Sequence, residues 1–445
     1  MNRQRNRGRV TLASLAAMCA VVALPGQAHA ADGPAAYTFD PAAASVQGAE
    51  SNAEAAELEP GSVYKSSIQA GQKLYYRLEL DAATDAYVSA VVVPKTGGKV
   101  AYGDGITISL RDLDDNRCSS GDAAFESAEF PRPIAAYAHR TVRKDSTICK
   151  AGGTYNVLIE RASKATSSPG AWDLELRFET EPALKEGETP PTEAPENWPS
   201  SSPAPAAGKQ KRAGGSSYYD ATSLEAGEWV DAVAPGQTRF YRVPVDWGQQ
   251  IFATAALSNS GKSTEFLGNA LAVALDNPVR GHVEDATLSY SGAPTSVALS
   301  PLPPVAYENR YDVASDVSAM RFAGWYYLSV TLSPKVAERY GQDPIGLTLK
   351  VNVVNDSKPS PYQGDAGIFG VTDDDRDMAK SGQSAPEAGE SATMKLVAAA
   401  GIGTGSVLVL GLGVWTLLAR RRASAMPSGT GGGHQPLGGP PPQAW

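Results

Sequence analysis

Three carboxylates and an amide crowd one short stretch: Asp112, Asp114, Asp115 and Asn116. Oxygen-bearing side chains at alternate positions of a loop are one way proteins collect ligands for calcium, which takes about six to eight oxygens. An EF-hand loop begun at Asp112 requires glycine where Arg117 stands and glutamate where Ala123 stands, so that module is excluded. What remains is either a calcium site on Asp112, Asp114, Asp115 and main-chain carbonyls, or an acidic turn ahead of Cys118. Apart from that calcium site, no cofactor is expected.

Other chemistry is sparse. The chain has four histidines. His29 and His434 fall near the two ends, and His139 and His282 stand alone, each read as a surface or loop residue. No HExxH, GxSxG or CxxC pattern is present, so neither a zinc hydrolase nor a Ser-His-Asp hydrolase is indicated. Gly261-Lys262-Ser263 ends a stretch that has Ala256 where a phosphate-binding loop needs glycine, and strand-like sequence precedes it. Ser62-Val63-Tyr64-Lys65 and Lys95-Thr96-Gly97 stand too close together for a penicillin-interacting enzyme. The expectation is a protein without catalytic activity. Cys118 and Cys149 are an isolated pair, read as a disulfide if the compartment is oxidising.

The clearest signal is a repeat. Gly71-Gln72-Lys73-Leu74-Tyr75-Tyr76-Arg77 returns as Gly236-Gln237-Thr238-Arg239-Phe240-Tyr241-Arg242, 165 positions later. Leu58-Glu59-Pro60-Gly61 precedes the first copy and Leu224-Glu225-Ala226-Gly227 the second. Gly153 follows Gly71 by 82 residues, and Gly324 follows Gly236 by 88. So long a period suits a duplicated domain rather than a solenoid. The paired aromatics Tyr75, Tyr76, Phe240 and Tyr241 could stack on sugars, but alternation along a strand sends one of each pair into a core.

Lys73–Leu80, Tyr87–Val93, Thr107–Leu110, Tyr155–Glu160 and Trp172–Phe178 read as strands, with turn residues between them. In the last, Trp172, Leu174, Leu176 and Phe178 face one way and Asp173, Glu175 and Arg177 the other, as in a half-buried antiparallel strand. The fold class is mostly β: two tandem jelly-roll-like β-sandwich domains, 45–180 and 216–354, plus one C-terminal transmembrane helix.

The flanks set the topology. Four arginines lead into an apolar run from Val10 to Leu24, and Ala28-His29-Ala30 fits a signal-peptidase site, giving a signal peptide at 1–30. Residues 31–44 read as a disordered lead, 181–215 as a proline-rich linker and 355–395 as an acidic stalk around Asp373-Asp374-Asp375. Residues 396–419 carry no charge, about 36 Å as a helix, and Arg420-Arg421-Arg422 follow. The expected protein is therefore anchored in the cell membrane by a single pass. Its ectodomain is extracytoplasmic, and a disordered cytoplasmic tail occupies 420–445. Gly401 and Gly405 form a GxxxG that could bring two such helices together as a homodimer. Setting aside the seven flanking arginines leaves 32 basic residues against 48 acidic ones, a balance that argues against nucleic acid as a partner.

The order Leu-Glu-x-Gly, Gly-Gln-x-x-aromatic-Tyr-Arg, then Gly-x-Tyr-x-aliphatic-x-aliphatic resembles the bacterial pre-peptidase C-terminal domain, a small sandwich appended to secreted proteins. The stretch from Trp229 to Gln250 is also similar to ectodomain segments of actinobacterial membrane proteins that carry a von Willebrand factor A domain. This chain lacks that domain's Asp-x-Ser-x-Ser metal motif, so metal-dependent adhesion does not carry over. The resemblance implies an accessory module of the cell envelope that binds or scaffolds other envelope proteins, a von Willebrand factor A-domain protein among them. Binding of surface glycan or cell wall is the alternative. The segments that differ most between the copies, Tyr102–Lys150 and Ser258–Arg321, are where a specific job is expected.

Overall fold

The computed structural model describes residues 35–143, 146–187, 193–203, 208–261, 264–391, 412–418 and 421. Among them, twenty strands build two β-sandwiches. The first contains β1 (Ala44–Ser45), β2 (Ala56–Glu57), β3 (Ser62–Ile68), β4 (Lys73–Leu80), β5 (Ala86–Val93), β6 (Gly105–Arg111), β7 (Arg117–Ala124), β8 (Ile134–Arg140), β9 (Gly153–Ala162) and β10 (Trp172–Thr180). The second contains β11 (Lys209–Lys211), β12 (Thr222–Ser223), β13 (Gly227–Val233), β14 (Thr238–Val245), β15 (Gln250–Leu257), β16 (Leu267–Asp276), β17 (His282–Tyr290), β18 (Thr295–Ala298), β19 (Gly324–Leu332) and β20 (Ile345–Val354).

The first sandwich pairs sheet I, in the order β1-β3-β10-β5-β8, with sheet II, in the order β2-β4-β9-β6-β7. The second pairs sheet III, β11-β13-β20-β15-β18, with sheet IV, β12-β14-β19-β16-β17. Each strand of the first sandwich thus has a counterpart ten numbers on, in the same place. Even the short parallel edges repeat: β1 on β3 and β2 on β4, then β11 on β13 and β12 on β14.

The repeated motif has a structural explanation. Gly71 and Gly236 close turns at φ +72° and +78°, where a side chain would be strained. The next glutamine locks each turn: Gln72 Oε1 accepts the Gln69 N–H and Gln237 Oε1 accepts the Ala234 N–H, both at 2.9 Å. Tyr76 and Tyr241 then enter the two cores. The leucines of the upstream motif, Leu58 and Leu224, are buried, and their N–H groups bond the carbonyls of Arg77 and Arg242. The two halves of the motif therefore meet across β2–β4 and β12–β14.

The sandwiches are fused face to face. In β5, the side chains Ala86, Val88, Ala90 and Val92 enter the first core. Tyr87 joins the core of the second sandwich, and Val91 joins a cluster with Tyr218, Phe240 and Tyr327. The polar face of β10, which alternation alone assigns to solvent, is buried at the same contact. Glu175 is fully buried and pairs with Arg280 of the second sandwich, and Tyr37 Oη donates to Glu175 Oε1 at 3.3 Å. A second cluster gathers on Arg310, which contacts Glu181 at 2.7 Å and Asp85 at 3.2 Å; Tyr87 and Tyr362 also donate to Glu181.

The described parts of the connecting segments are packed against the sandwiches. Tyr37, in the expected disordered lead, sits at the domain contact. Within the proline-rich segment, residues 199–203 lie on sheet III, with Pro199 O accepting from Gln250 Nε2 at 2.7 Å, and Lys209–Lys211 pairs with β13. The acidic run is the first turn of a helix, Asp373–Ser381, with a capping box between Thr372 and Asp375. Carboxylates at that end suit the positive pole of the helix. The helix docks through Asp375 to Trp325 Nε1 at 2.8 Å and Arg376 to Asp246 at 2.7 Å. Among the described residues, no helix is long and apolar enough to cross a membrane. Of the expected span 396–419, the described residues include 412–418, which are helical.

Truncating one partner of a buried ion pair typically costs about 3–5 kcal/mol, because the other charge stays buried alone. Glu175→Ala should lose about that much stability and separate the unfolding of the two sandwiches in calorimetry. An unchanged melting profile would show that the pair does not hold the domains. The Cys118–Cys149 disulfide spans 31 positions. Replacing both cysteines by serine should cost about 3–4 kcal/mol on chain-entropy grounds, read from the urea midpoint, while the sandwiches still unfold together.

Candidate functional site

The fused arrangement leaves a cleft of about 290 Å³ between the sandwiches. The first sandwich contributes Asp122 of β7 and the arm at 125–133; the second contributes Asp276, His282, Asp285 and Thr287 of β16 and β17. All of these lie in the segments where the two copies diverge. The arm reaches across the domain contact. Its Ala128 and Phe130 pack with Ala272, and its Ser127 carbonyl accepts from Asn269 Nδ2 at 2.9 Å.

Arg132 stands at the end of the arm. Its Nη1 donates to the carbonyls of Ala128 (2.7 Å) and Phe130 (3.4 Å), and its guanidinium lies 5.1 Å and 5.2 Å from the ring centres of Phe125 and Phe130. Among the described residues, no carboxylate lies within ion-pair distance of it. Burial lowers its pKa to about 10, with Asp285 and Glu126 opposing, so it stays charged at neutral pH. Arg132 and Pro133 also wall a second cavity of about 280 Å³, bounded by Tyr37, Pro94, Pro235 and Pro334.

His282 is held between two acids. Its Nε2 lies 3.3 Å from Asp285 Oδ1 and its Nδ1 3.7 Å from Asp276 Oδ1, while Tyr218 Oη donates to Asp276 Oδ2 at 2.7 Å. Desolvation pulls the imidazole down, but the two carboxylates more than offset it and push the pKa up to about 10. Asp285 is lowered in turn, first by its hydrogen bond to His282. A charged imidazole with both nitrogens engaged is not poised as a general base. The arrangement can present fixed charges and hydrogen-bonding groups to a polar ligand.

The residues singled out in the sequence fall elsewhere. Asp112 Oδ1 accepts the N–H groups of Asp114 and Asn116, and its Oδ2 accepts from Asn116 Nδ2, so its carboxylate organises its own turn. Asp115 pairs with Arg111 at 2.9 Å. Asp112, Asp114 and Asp115 are not brought together as a ligand set, and no group of three His, Cys, Asp or Glu side chains suited to a metal occurs among the described residues. Cys118 and Cys149 are joined as a disulfide. Gly401 and Gly405 lie outside the described residues. Of the repeated aromatics, Tyr76 and Tyr241 are in the cores and Phe240 is at the domain contact; only Tyr75 is part-exposed. His139 is not a loop residue. It lies in β8 beside Tyr87 and Tyr137, and burial, aided by Arg321, Arg310 and Arg143, pushes its pKa down to about 3. The cleft residues Asp122, Arg132 and Asp285 were not found by motif, since no spacing links them; only their location in the divergent segments pointed there.

No family model matches the chain, and no curated protein does. Among solved structures, a family 6 carbohydrate-binding module is similar at 10% identity and a TM-score of 0.15, over 25% of this chain and 70% of its own. Tripeptidyl peptidase 2 is similar at 12% identity and a TM-score of 0.18, over 66% of this chain and 24% of its own. The CUB1-EGF-CUB2 segment of human MASP-1/3 is similar at 7% identity and a TM-score of 0.16, over 65% of this chain and 99% of its own. At such TM-scores these likenesses carry no argument about fold or function.

The buried charges at the domain contact predict a pH dependence. Burial, and then Glu181, push Asp85 up to about 6. An unfolded aspartate titrates near ~3.9, so the folded protein holds this proton more tightly. The contribution of Asp85 to stability is therefore greatest below that unfolded value and falls as pH rises through about 6, by roughly 2–3 kcal/mol in all. Asp85→Asn should remove this slope in urea unfolding between about pH 4 and pH 7. An unaltered slope in the variant would exclude Asp85 as its source.

Proposed function

We propose that the chain is a non-catalytic, membrane-anchored, extracytoplasmic protein of the cell envelope, built on two jelly-roll-like sandwiches, that binds or scaffolds other envelope proteins. The observation that carries this reading is the fused pair of sandwiches, locked by buried charges around a polar cleft. A rigid two-domain body with diverged, outward-opening surfaces suits recognition. The one histidine in the cleft has both nitrogens occupied by carboxylates, which speaks against acid–base catalysis there. The signal-like N-terminus and the uncharged 396–419 stretch support membrane anchorage, and the disulfide supports an oxidising compartment. The pre-peptidase C-terminal-like motifs support an accessory role, with a von Willebrand factor A-domain protein as one candidate partner. The acidic and hydroxyl lining of the cleft favours a second reading, binding of surface glycan or cell wall.

The purified ectodomain, residues 31–395, separates the two. Saturable retention on membrane proteins immobilised from the same envelope is the result expected of the first reading. Retention on purified cell wall alone would replace it with the second, and retention on neither would overturn both.

A further inference from the structure

The cleft holds charges of both signs, and those that the first sandwich supplies form no ion pair among the described residues. Arg132 is tethered through Nη1 to the carbonyls of Ala128 and Phe130, and its Nε and Nη2 form no hydrogen bond among the described residues. Asp122 and Glu126 are exposed on the same cleft, and neither forms an ion pair or a side-chain hydrogen bond among the described residues. Glu126 and Arg132 are close in sequence, yet Arg132 is fixed beside the rings of Phe125 and Phe130 instead of collapsing onto the acid. Across from them, Asp276 and Asp285 hold the His282 imidazolium in place. Between these groups the walls combine small residues, among them Ala123, Ala124, Ala272 and Ala274, with the hydroxyls of Thr287 and Ser329 and the larger Ile134 and Val273. Donors and acceptors of this kind bind best a ligand that supplies both partners at once, since each polar group that the ligand covers must find a hydrogen bond to it.

We infer that this interdomain cleft is a binding site for a saccharide. The inference rests on the reading that the chain binds rather than catalyses, and it names the chemistry of the ligand. Vicinal hydroxyls accept from a guanidinium and donate to carboxylates without carrying charge, which suits a cleft in which anions outnumber cations. The volume, about 290 Å³, is just under the range of about 300–1,000 Å³ for small-ligand sites, room for a terminal sugar unit rather than for a wrapped polymer. Among the described residues no aromatic ring is free to stack there: the hydroxyl of Tyr218 is bound to Asp276 and its ring packs on Phe240. Recognition is therefore through hydrogen bonds. The sugar could belong to a wall polymer or to a glycosylated envelope protein.

Calorimetric titration of the disulfide-intact ectodomain tests this, with oligosaccharides released from purified cell wall in one arm and glycans released from the membrane-protein fraction in the other. Binding in either arm is expected, and the arm that binds identifies the source. Asp122→Asn and Arg132→Gln should each weaken it by roughly tenfold or more, the loss of one charged hydrogen bond. Asp122 is exposed and bonds no other side chain, so its variant should melt like the parent, which keeps the test open if Arg132→Gln unfolds the arm. Asp114→Ala, in the separate acidic turn, should leave binding unchanged. Undiminished binding by a folded Asp122→Asn, together with undiminished binding by Arg132→Gln, would overturn the assignment of the cleft. So would an ectodomain that is retained on membrane proteins yet binds no saccharide, an outcome that leaves the binding reading standing. Competition by lysine amide that disappears at high salt would show a cationic ligand instead and would equally overturn it.

Discussion

Two buried charge clusters fix how the sandwiches meet: Glu175 with Arg280, and Arg310 with Glu181 and Asp85. Removing such charges from water costs several kcal/mol per ion, and their mutual attraction returns that only with good geometry. The geometry here is incomplete, since Glu175 Oε2 and Arg280 Nε have no hydrogen-bond partner. Apolar residues of similar size would hold the domains at least as well. What the charges add is selectivity. Any rotation or slip of one sandwich on the other would leave a carboxylate or guanidinium buried alone, whereas an apolar contact of Tyr87, Val91, Phe240 and Tyr327 could slide at little cost.

This contact also explains why a duplicated protein is not a symmetric one. Sheet I of the first sandwich covers sheet IV of the second, and these faces are not equivalent in the repeat. A heterologous contact of this kind leaves the equivalent faces free, and in principle it could propagate. The free faces have diverged instead. On sheet II, Lys73 pairs with Glu160 and Thr154 with Glu79, a wet, polar surface. Over sheet III lie residues 199–203 of the proline-rich segment, anchored to Gln250. The pairs Arg77/Arg242 and Tyr75/Phe240 show the same split: partly exposed in the first copy, buried in the second.

Much of the fold was legible in the sequence, because alternation and turn chemistry are local. Lys73–Leu80 has the bounds that its pattern suggests, and the Gly-Gln turns follow from two residues each. β7, with the sequence Arg-Cys-Ser-Ser-Gly-Asp-Ala-Ala, was not legible, since nothing in it prefers a strand. It is held by pairing with β6 and by the disulfide at Cys118. The sign of the domain contact was present but easily misread. Tyr87–Val93 is apolar without alternation, the mark of a strand covered on both faces, yet the clean alternation of Trp172–Phe178 pointed to a solvent face. Glu175 is buried there because another domain supplies Arg280 105 positions away, and no local pattern can announce so distant a partner. The acidic run at 373–375 likewise reads as a stalk until Thr372 is recognised as its cap.

The cleft was the least legible part, for the same reason. Asp122 and Arg132 come from one sandwich and His282 and Asp285 from the other, so their proximity exists only in one relative orientation of the domains. The arm that carries Arg132 spans that contact and is bonded to it through Ser127 and Asn269. A ligand bridging Arg132 and the second sandwich would bind only the fused state. Its binding energy would then add to the stability of the domain contact by simple linkage. Conversely, charges buried at the contact tune the cleft from behind. Tyr218 touches both networks: its hydroxyl bonds Asp276 at the cleft, and its ring lies 5.0 Å from the Arg280 guanidinium. A change that loosens Glu175–Arg280 should therefore disturb Asp276 and His282 before it disturbs either core, because Arg280 stands in the short turn that joins those two residues and Tyr218 touches both networks.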